Sequence, residues 1–203
     1  MKSLLSITAI VGFSAALYAQ PITIANSSFE AQSPGYVGAI VTGWTGAQYA
    51  QILAPGANIT GLTGSNGILI GGNGISQTTA ATFLTGAIYT LTMDVGLPTG
   101  TTDTAGTFHL DFNAATTHSH FFAFSAYPAV GTMATVSYSY TAVSADNGLP
   151  VAITIGDYYD NTGAHVFDNV TLTEIAPAPE PSVLALAGLG GAIFLVGLKR
   201  RTA

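Results

Sequence analysis

Apolar side chains recur at every second residue in one stretch after another of this 203-residue chain, and its central region sustains no helical period. Between residues 88 and 95, Tyr89, Leu91, Met93 and Val95 share one face of an extended backbone, and Thr90, Thr92 and Asp94 share the other. Phe108, Leu110 and Phe112 form a second stripe with His109 and Asp111 turned away, and Val136, Tyr138 and Tyr140 form a third. Successive side chains of a strand point to opposite faces, so this pattern predicts half-buried β-strands. Shorter runs predict further strands at residues 21–25, 47–53, 67–70, 121–125, 151–156 and 166–173, with Gly, Pro, Asn and Asp between them. Roughly nine or ten antiparallel strands in one domain predict an all-β fold, a single jelly-roll-type β-sandwich over residues 20–175. No internal repeat points to a solenoid.

Charge narrows the partners. The only basic residues are Lys2, Lys199, Arg200 and Arg201, so residues 3–198 carry all 10 acidic side chains and no cation but histidine. Such a surface cannot neutralise phosphates, which excludes nucleic-acid binding and any arginine clamp for nucleotides. Neutral glycans and calcium stay open. The absence of cysteine removes disulfides, thiolate zinc sites and thiol nucleophiles together.

The two ends read as addresses. Residues 1–19 have Lys2, an apolar run and a small residue, Ala19, before Gln20-Pro21: the three parts of a secretory signal peptide, cut by signal peptidase after passage through the Sec translocon. Residues 176–182 alternate proline with small residues, as an extended spacer does. Residues 182–198 hold no charge, and Lys199, Arg200 and Arg201 follow at once, so 183–203 is expected to form a transmembrane helix with a basic cytoplasmic tail. The sandwich is thereby placed outside the inner membrane.

Pro179-Glu180-Pro181-Ser182, the apolar span and the terminal basic cluster, in that order, resemble the PEP-CTERM sorting signal of Gram-negative bacteria. The resemblance implies processing by exosortase, transfer of the membrane-anchored precursor to the cell surface or extracellular matrix, and a role in exopolysaccharide and biofilm.

A second resemblance spans the central domain. Asn26-Ser27-Ser28-Phe29-Glu30, Gly43-Trp44-Thr45, Ile75-Ser76-Gln77, Tyr89-Thr90-Leu91 and Phe167-Asp168-Asn169-Val170 are similar to segments of carbohydrate-binding-module and galactose-binding-like jelly rolls. It implies a structural calcium held by Glu30 and Asp168, and a packing role for Trp44. The residues give independent support for the calcium. Strict alternation puts Asp168 on the face of Val166, Val170 and Leu172, where a carboxylate needs a cation, backbone donors or a proton.

Candidate chemistry elsewhere is thinner. Asp157-Tyr158-Tyr159-Asp160-Asn161 mixes flat rings with carboxylates and an amide, the set that stacks on and hydrogen-bonds a sugar. Tyr36, Tyr49 and Tyr127 could add rings to it. His118 and His120 share a strand face, and His109 and Asp111 have the same spacing, half of a zinc site in each case. No nucleophile elbow, zinc-protease helix or phosphate loop is present. The expectation is a non-enzymatic, structural or carbohydrate-contacting surface protein. A lectin-like module with a defined glycan site and a secreted hydrolase are the alternatives.

Overall fold

In the computed structural model the alternation is met on the inner faces of two packed sheets. The structure describes residues 18–37, 41–46, 49–54, 58–71, 74–100, 107–123, 129–158 and 165–177. The expected signal peptide, sorting motif and basic-tailed span therefore lie outside the described residues, apart from the last two residues of the signal peptide and the first two of the spacer. Among the described residues no helix is long and apolar enough to cross a membrane.

Eleven strands are described: β1 (Gln20–Ile22), β2 (Gly35–Tyr36), β3 (Tyr49–Leu53), β4 (Gly67–Gly71), β5 (Ile75–Thr82), β6 (Ile88–Gly96), β7 (Thr107–Asn113), β8 (Thr117–Ala123), β9 (Met133–Thr141), β10 (Pro150–Tyr158) and β11 (His165–Ile175). One sheet has seven strands in the order β2-β3-β4-β11-β6-β9, with β1 paired to the far end of β11, and the other has four in the order β5-β10-β7-β8. Every strand pairing is antiparallel. The all-β sandwich is as the sequence predicts.

The core lies between the sheets. Tyr89, Leu91, Met93 and Val95 of β6 meet Phe108, Leu110 and Phe112 of β7 and Val151, Ile153 and Ile155 of β10, all fully buried. Trp44 packs as expected: it is buried, its ring centroid is 5.8 Å from that of Phe29, and its Nε1 donates to the Asn26 carbonyl at 3.4 Å.

A second, smaller core sits on the other face of the seven-stranded sheet. There Val166 packs with Leu53 and Ile59, and with Leu62, Leu69 and Met133 at its margin. The cause is a bulge in β11. Phe167 lies opposite Val95 and Asp168 opposite Asp94, but the register shifts before Thr171, and Asn169 takes a left-handed φ of 51°. Phe167, Val170 and Leu172 consequently face the main core, while Val166 and Asp168 face outward. The alternation read from sequence fails at this one residue: Asp168 is fully buried, as expected, but beneath residues 58–66 and not among Val170 and Leu172.

Candidate functional site

A polar side chain on the outer face of a sheet is ordinarily hydrated. On the outer face of the four-stranded sheet this rule breaks at two neighbours, because His109 and Asp111 are each only 8% exposed. The register builds their surroundings in cross-strand rows. Ser76, Thr154, Asp111 and Ser119 lie side by side on β5, β10, β7 and β8. Gly156, His109 and Phe121 form the next row, and Thr78, Ala152, Asn113 and Thr117 form the row on the other side.

Within these rows Nε2 of His109 is 3.5 Å from Oδ2 of Asp111. Oδ1 of Asp111 is buried and accepts no hydrogen bond among the described residues. Burial pushes the Asp111 carboxyl above its usual range, against the opposing pull of His109 and a hydrogen bond from Ser119. The flanks are built for contact. Oγ of Ser76 is 2.7 Å from Oγ1 of Thr154, which also accepts from Nδ2 of Asn113 at 2.7 Å. Phe121 is 49% exposed, its ring centroid 5.8 Å from that of His109. Glycine is required at 156, since a Cβ there would come within 2.6 Å of the Gly74 Cα and 3.1 Å of the His109 Cε1. A buried carboxyl beside an imidazole, with an exposed aromatic ring in the next row, is equipped to pass a proton to or from a bound molecule.

The two half-sites are not brought together into one zinc site. His118, His120 and Phe122 pair with Phe112, Leu110 and Phe108, the inward-facing row of β7, whereas His109 and Asp111 face outward. The two histidines instead lie on tyrosines of the opposite sheet: His118 is stacked on Tyr140 at 4.2 Å and His120 on Tyr138 at 5.1 Å. Among the described residues no three His, Cys, Asp or Glu side chains group as metal ligands do.

Of the expected glycan residues, Asp157 and Tyr158 end β10, their backbones paired with Phe108 and Thr107. The latter pairing puts position 158 in the row beyond His109 and Phe121. Tyr159, Asp160 and Asn161 lie outside the described residues, as does Tyr127.

Glu30 and Asp168 do converge, on one loop. Oδ2 of Asp168 accepts from the Thr63 amide at 2.6 Å, and Oε1 of Glu30 accepts from the Ser65 and Asn66 amides at 2.7 Å each. Oδ1 of Asp168 takes the Asn169 amide at 2.6 Å. Burial nevertheless pushes the Asp168 carboxyl up to about 6, with Asp94 and Glu30 adding repulsion against the two amides. Glu30 and Asp168 thus spend oxygens on backbone amides, and with Asp94 they do not group as the ligands of a metal do among the described residues.

An apolar groove of about 420 Å³ along β1 and β11, lined by Pro21, Ile22, Val170 and Leu172 among others, contains no titratable group and offers no comparable chemistry.

Sequence reasoning placed His109 and Asp111 on the outer face but missed their burial. Alternation reports which way a side chain points and not what covers it.

Known structures share this architecture. A cyclase from Fischerella sp. TAU superposes with a TM-score of 0.64 at 20% identity, covering 80% of this chain and 100% of that one. A cyclase from the same organism, in complex with 4-(1H-indol-3-yl)butan-2-one, gives 0.62 at 21% identity over 80% and 100%. The CBM22-1 xylan-binding domain of Paenibacillus barcinonensis Xyn10C gives 0.50 at 16% identity over 81% and 100%, so the expected likeness to carbohydrate-binding modules holds at the level of fold. No curated protein matches the chain in sequence. Residues 20–173, nearly the whole sandwich, match the family model HpiC1-like, described as HpiC1 cyclase. That match overturns the expectation of a non-enzymatic protein, which rested on the absence of familiar catalytic motifs. The chain belongs to the HpiC1-like cyclase family.

Proposed function

We propose that this protein is an exported enzyme of cyclase type that uses Asp111 as its proton donor, with His109 as the neighbouring base, on a ring-bearing substrate lying across the four-stranded sheet. The observation that carries the reading is the burial of Asp111 beside His109 with one carboxyl oxygen unengaged among the described residues. A carboxyl held above its usual range gives up a proton nearer neutral pH, as an acid catalyst must. Ring closure by isomerisation then needs one proton delivered to a substrate π-bond, one new bond formed at the resulting cation, and one proton removed from it. The Phe121 face and a surface without lysine or arginine favour that positive charge. The family membership and the cyclase fold support the same reading.

A glycan is the second reading for this face. Ser76, Thr154 and Asn113 beside exposed Phe121 provide hydroxyls, an amide and a ring, and the likeness to a xylan-binding domain favours it. The test is calorimetric titration of the full chain with an indole-bearing ketone and with xylo-oligosaccharides, followed by incubation and chromatography of the recovered ligand. An isomer of unchanged mass that forms with the wild type and not with Asp111→Asn supports the cyclase. Saturable glycan binding without turnover, lost in Phe121→Ala, supports the second reading and overturns the first.

The ends supply the address. Signal peptidase after Ala19 and exosortase at Pro179-Glu180-Pro181-Ser182 would carry the domain from an inner-membrane precursor to the cell surface or matrix, where exopolysaccharide is the nearest abundant partner. Calcium at Glu30 and Asp168 would hold residues 58–66 against the seven-stranded sheet.

A further inference from the structure

Four large apolar side chains that the fold leaves exposed, Leu84, Ile88, Val143 and Leu149, gather at one end of the sandwich. Ile88 opens β6 and lies opposite Thr141, the last residue of β9, and Ile175, the last of β11. The loops at residues 83–87 and 142–149 are bound to each other: the Phe83 amide donates to the Leu149 carbonyl at 2.8 Å, the Gly148 amide to Phe83 at 2.9 Å and the Gly86 amide to Ala142 at 2.8 Å. Val143 is 51% and Leu84 44% exposed. The charges of this end are few: Asp146 is fully buried, Glu174 is half-buried, and no basic residue is present.

Scattered apolar residues are ordinary on a protein surface, but a group on adjoining loops marks an interaction site. The path of the chain says with what. Gln20, the first residue after the expected cleavage, lies opposite Glu174, so both ends of the domain leave from this same end. From Ile175 to Ser182 there are seven residues, a reach of at most ~25 Å even if fully extended. If residues 183–203 span the bilayer, that tether keeps the apolar end within reach of the lipid surface, where weak contacts suffice because they are intramolecular.

We propose that this end of the sandwich seats on the bilayer, with Leu84, Ile88, Val143 and Leu149 in the boundary between headgroups and acyl chains. The seating rests on the reading of residues 183–203 as a membrane span. Without basic residues it gains nothing from anionic headgroups, so it is apolar and insensitive to salt.

The chain has no native cysteine, so single labels are clean. Val143→Cys, Leu84→Cys and Val130→Cys carry an environment-sensitive fluorophore on the full chain, reconstituted in vesicles of phosphatidylethanolamine and phosphatidylglycerol with or without spin-labelled lipid. Val130 is a matched control: it is 42% exposed but precedes Met133, which lies opposite Gly96 at the other end of β6. The expected result is loss of about half the fluorescence at 143 and 84 and little at 130, since a seated side chain reaches the depth of the quencher. Co-flotation with equal quenching at 143 and 130, or none at either, overturns the seating and leaves the span standing. A chain that fails to co-float with the vesicles removes the span and the seating together.

Discussion

Asp111 and His109 stand two residues apart on one strand with Oδ2 and Nε2 3.5 Å apart, both on the outer face and both nearly inaccessible. Replacing the carboxyl by its isosteric amide removes the proton and keeps the shape. Asp111→Asn should lower turnover by about 10² to 10⁴-fold while ligand affinity changes little. The folded protein holds this carboxyl above its unfolded range, so its ionisation costs stability as pH rises through the shifted value. Asp111→Asn removes that cost, and its melting temperature at pH 7 should equal or exceed that of the wild type. A variant that melts well below the wild type would make Asp111 a structural residue, not a proton donor.

Beneath the stacked His118 ring, the Tyr140 hydroxyl donates to Oδ2 of Asp146, which also accepts the Val143 amide at 2.8 Å, while Oδ1 takes the Ala115 amide at 3.1 Å. Burial raises the Asp146 carboxyl, but these donors outweigh it and hold it below the usual range. Burial and the Asp146 charge push the Tyr140 phenol up to about 12. Tyr140→Phe should therefore cost about 1–3 kcal/mol at neutral pH in chemical denaturation. Because Asp146 has a depressed folded pKa, its contribution is present above the unfolded value and lost as pH falls through the folded one. The gap between wild type and variant should shrink below pH ~4. An equal gap at pH 3 and pH 7 would remove Asp146 from the account.

Much of the sandwich is legible in the residues because β6, β7 and β9 alternate apolar with polar without interruption. β5 is not legible, since Ser-Gln-Thr-Thr-Ala-Ala-Thr after Ile75 shows no contrast between its faces. Its buried Gln77 is satisfied from outside the strand, through Ala25 and Gly43. β8 misleads for another reason: His118 and His120 count as polar in any pattern, yet their rings have faces that pack against Tyr140 and Tyr138. Asp168 was misplaced by one bulged residue, which no periodicity records. The candidate site suffers most, since its defining property is the burial of His109 and Asp111 on an outward face, which alternation does not report.

Asp168 faces Asp94 across the β11–β6 pair, with Glu30 near enough to add repulsion, and its carboxyl is pushed up to about 6. An acid whose folded pKa exceeds its unfolded value costs stability above that window and none below it. In chelator, the melting temperature should consequently rise as pH falls from 7 to 5, by an amount equivalent to about 1–2 kcal/mol. Added calcium should raise the melting temperature at pH 7 and flatten that dependence, since the cation replaces the proton. A melting temperature indifferent to chelator at pH 7 would leave the Thr63 and Asn169 amides as the only partners of Asp168.

The sorting proposal has its own measurement, independent of the site. If Pro179-Glu180-Pro181-Ser182 is the processing motif, intact mass of the protein from exosortase-competent cells should show a species that begins at Gln20 and ends near residues 179–182, recovered from the surface or medium. Cells without exosortase should retain a membrane-bound form that keeps Arg201. Glu180→Ala should reproduce that retention in competent cells while leaving the melting temperature of the sandwich unchanged, because position 180 lies beyond the last strand, which ends at Ile175. Recovery of only the Arg201-bearing form from both strains would reduce the C-terminus to a plain anchor, and would confine any cyclase activity to substrates that reach the outer surface of the inner membrane.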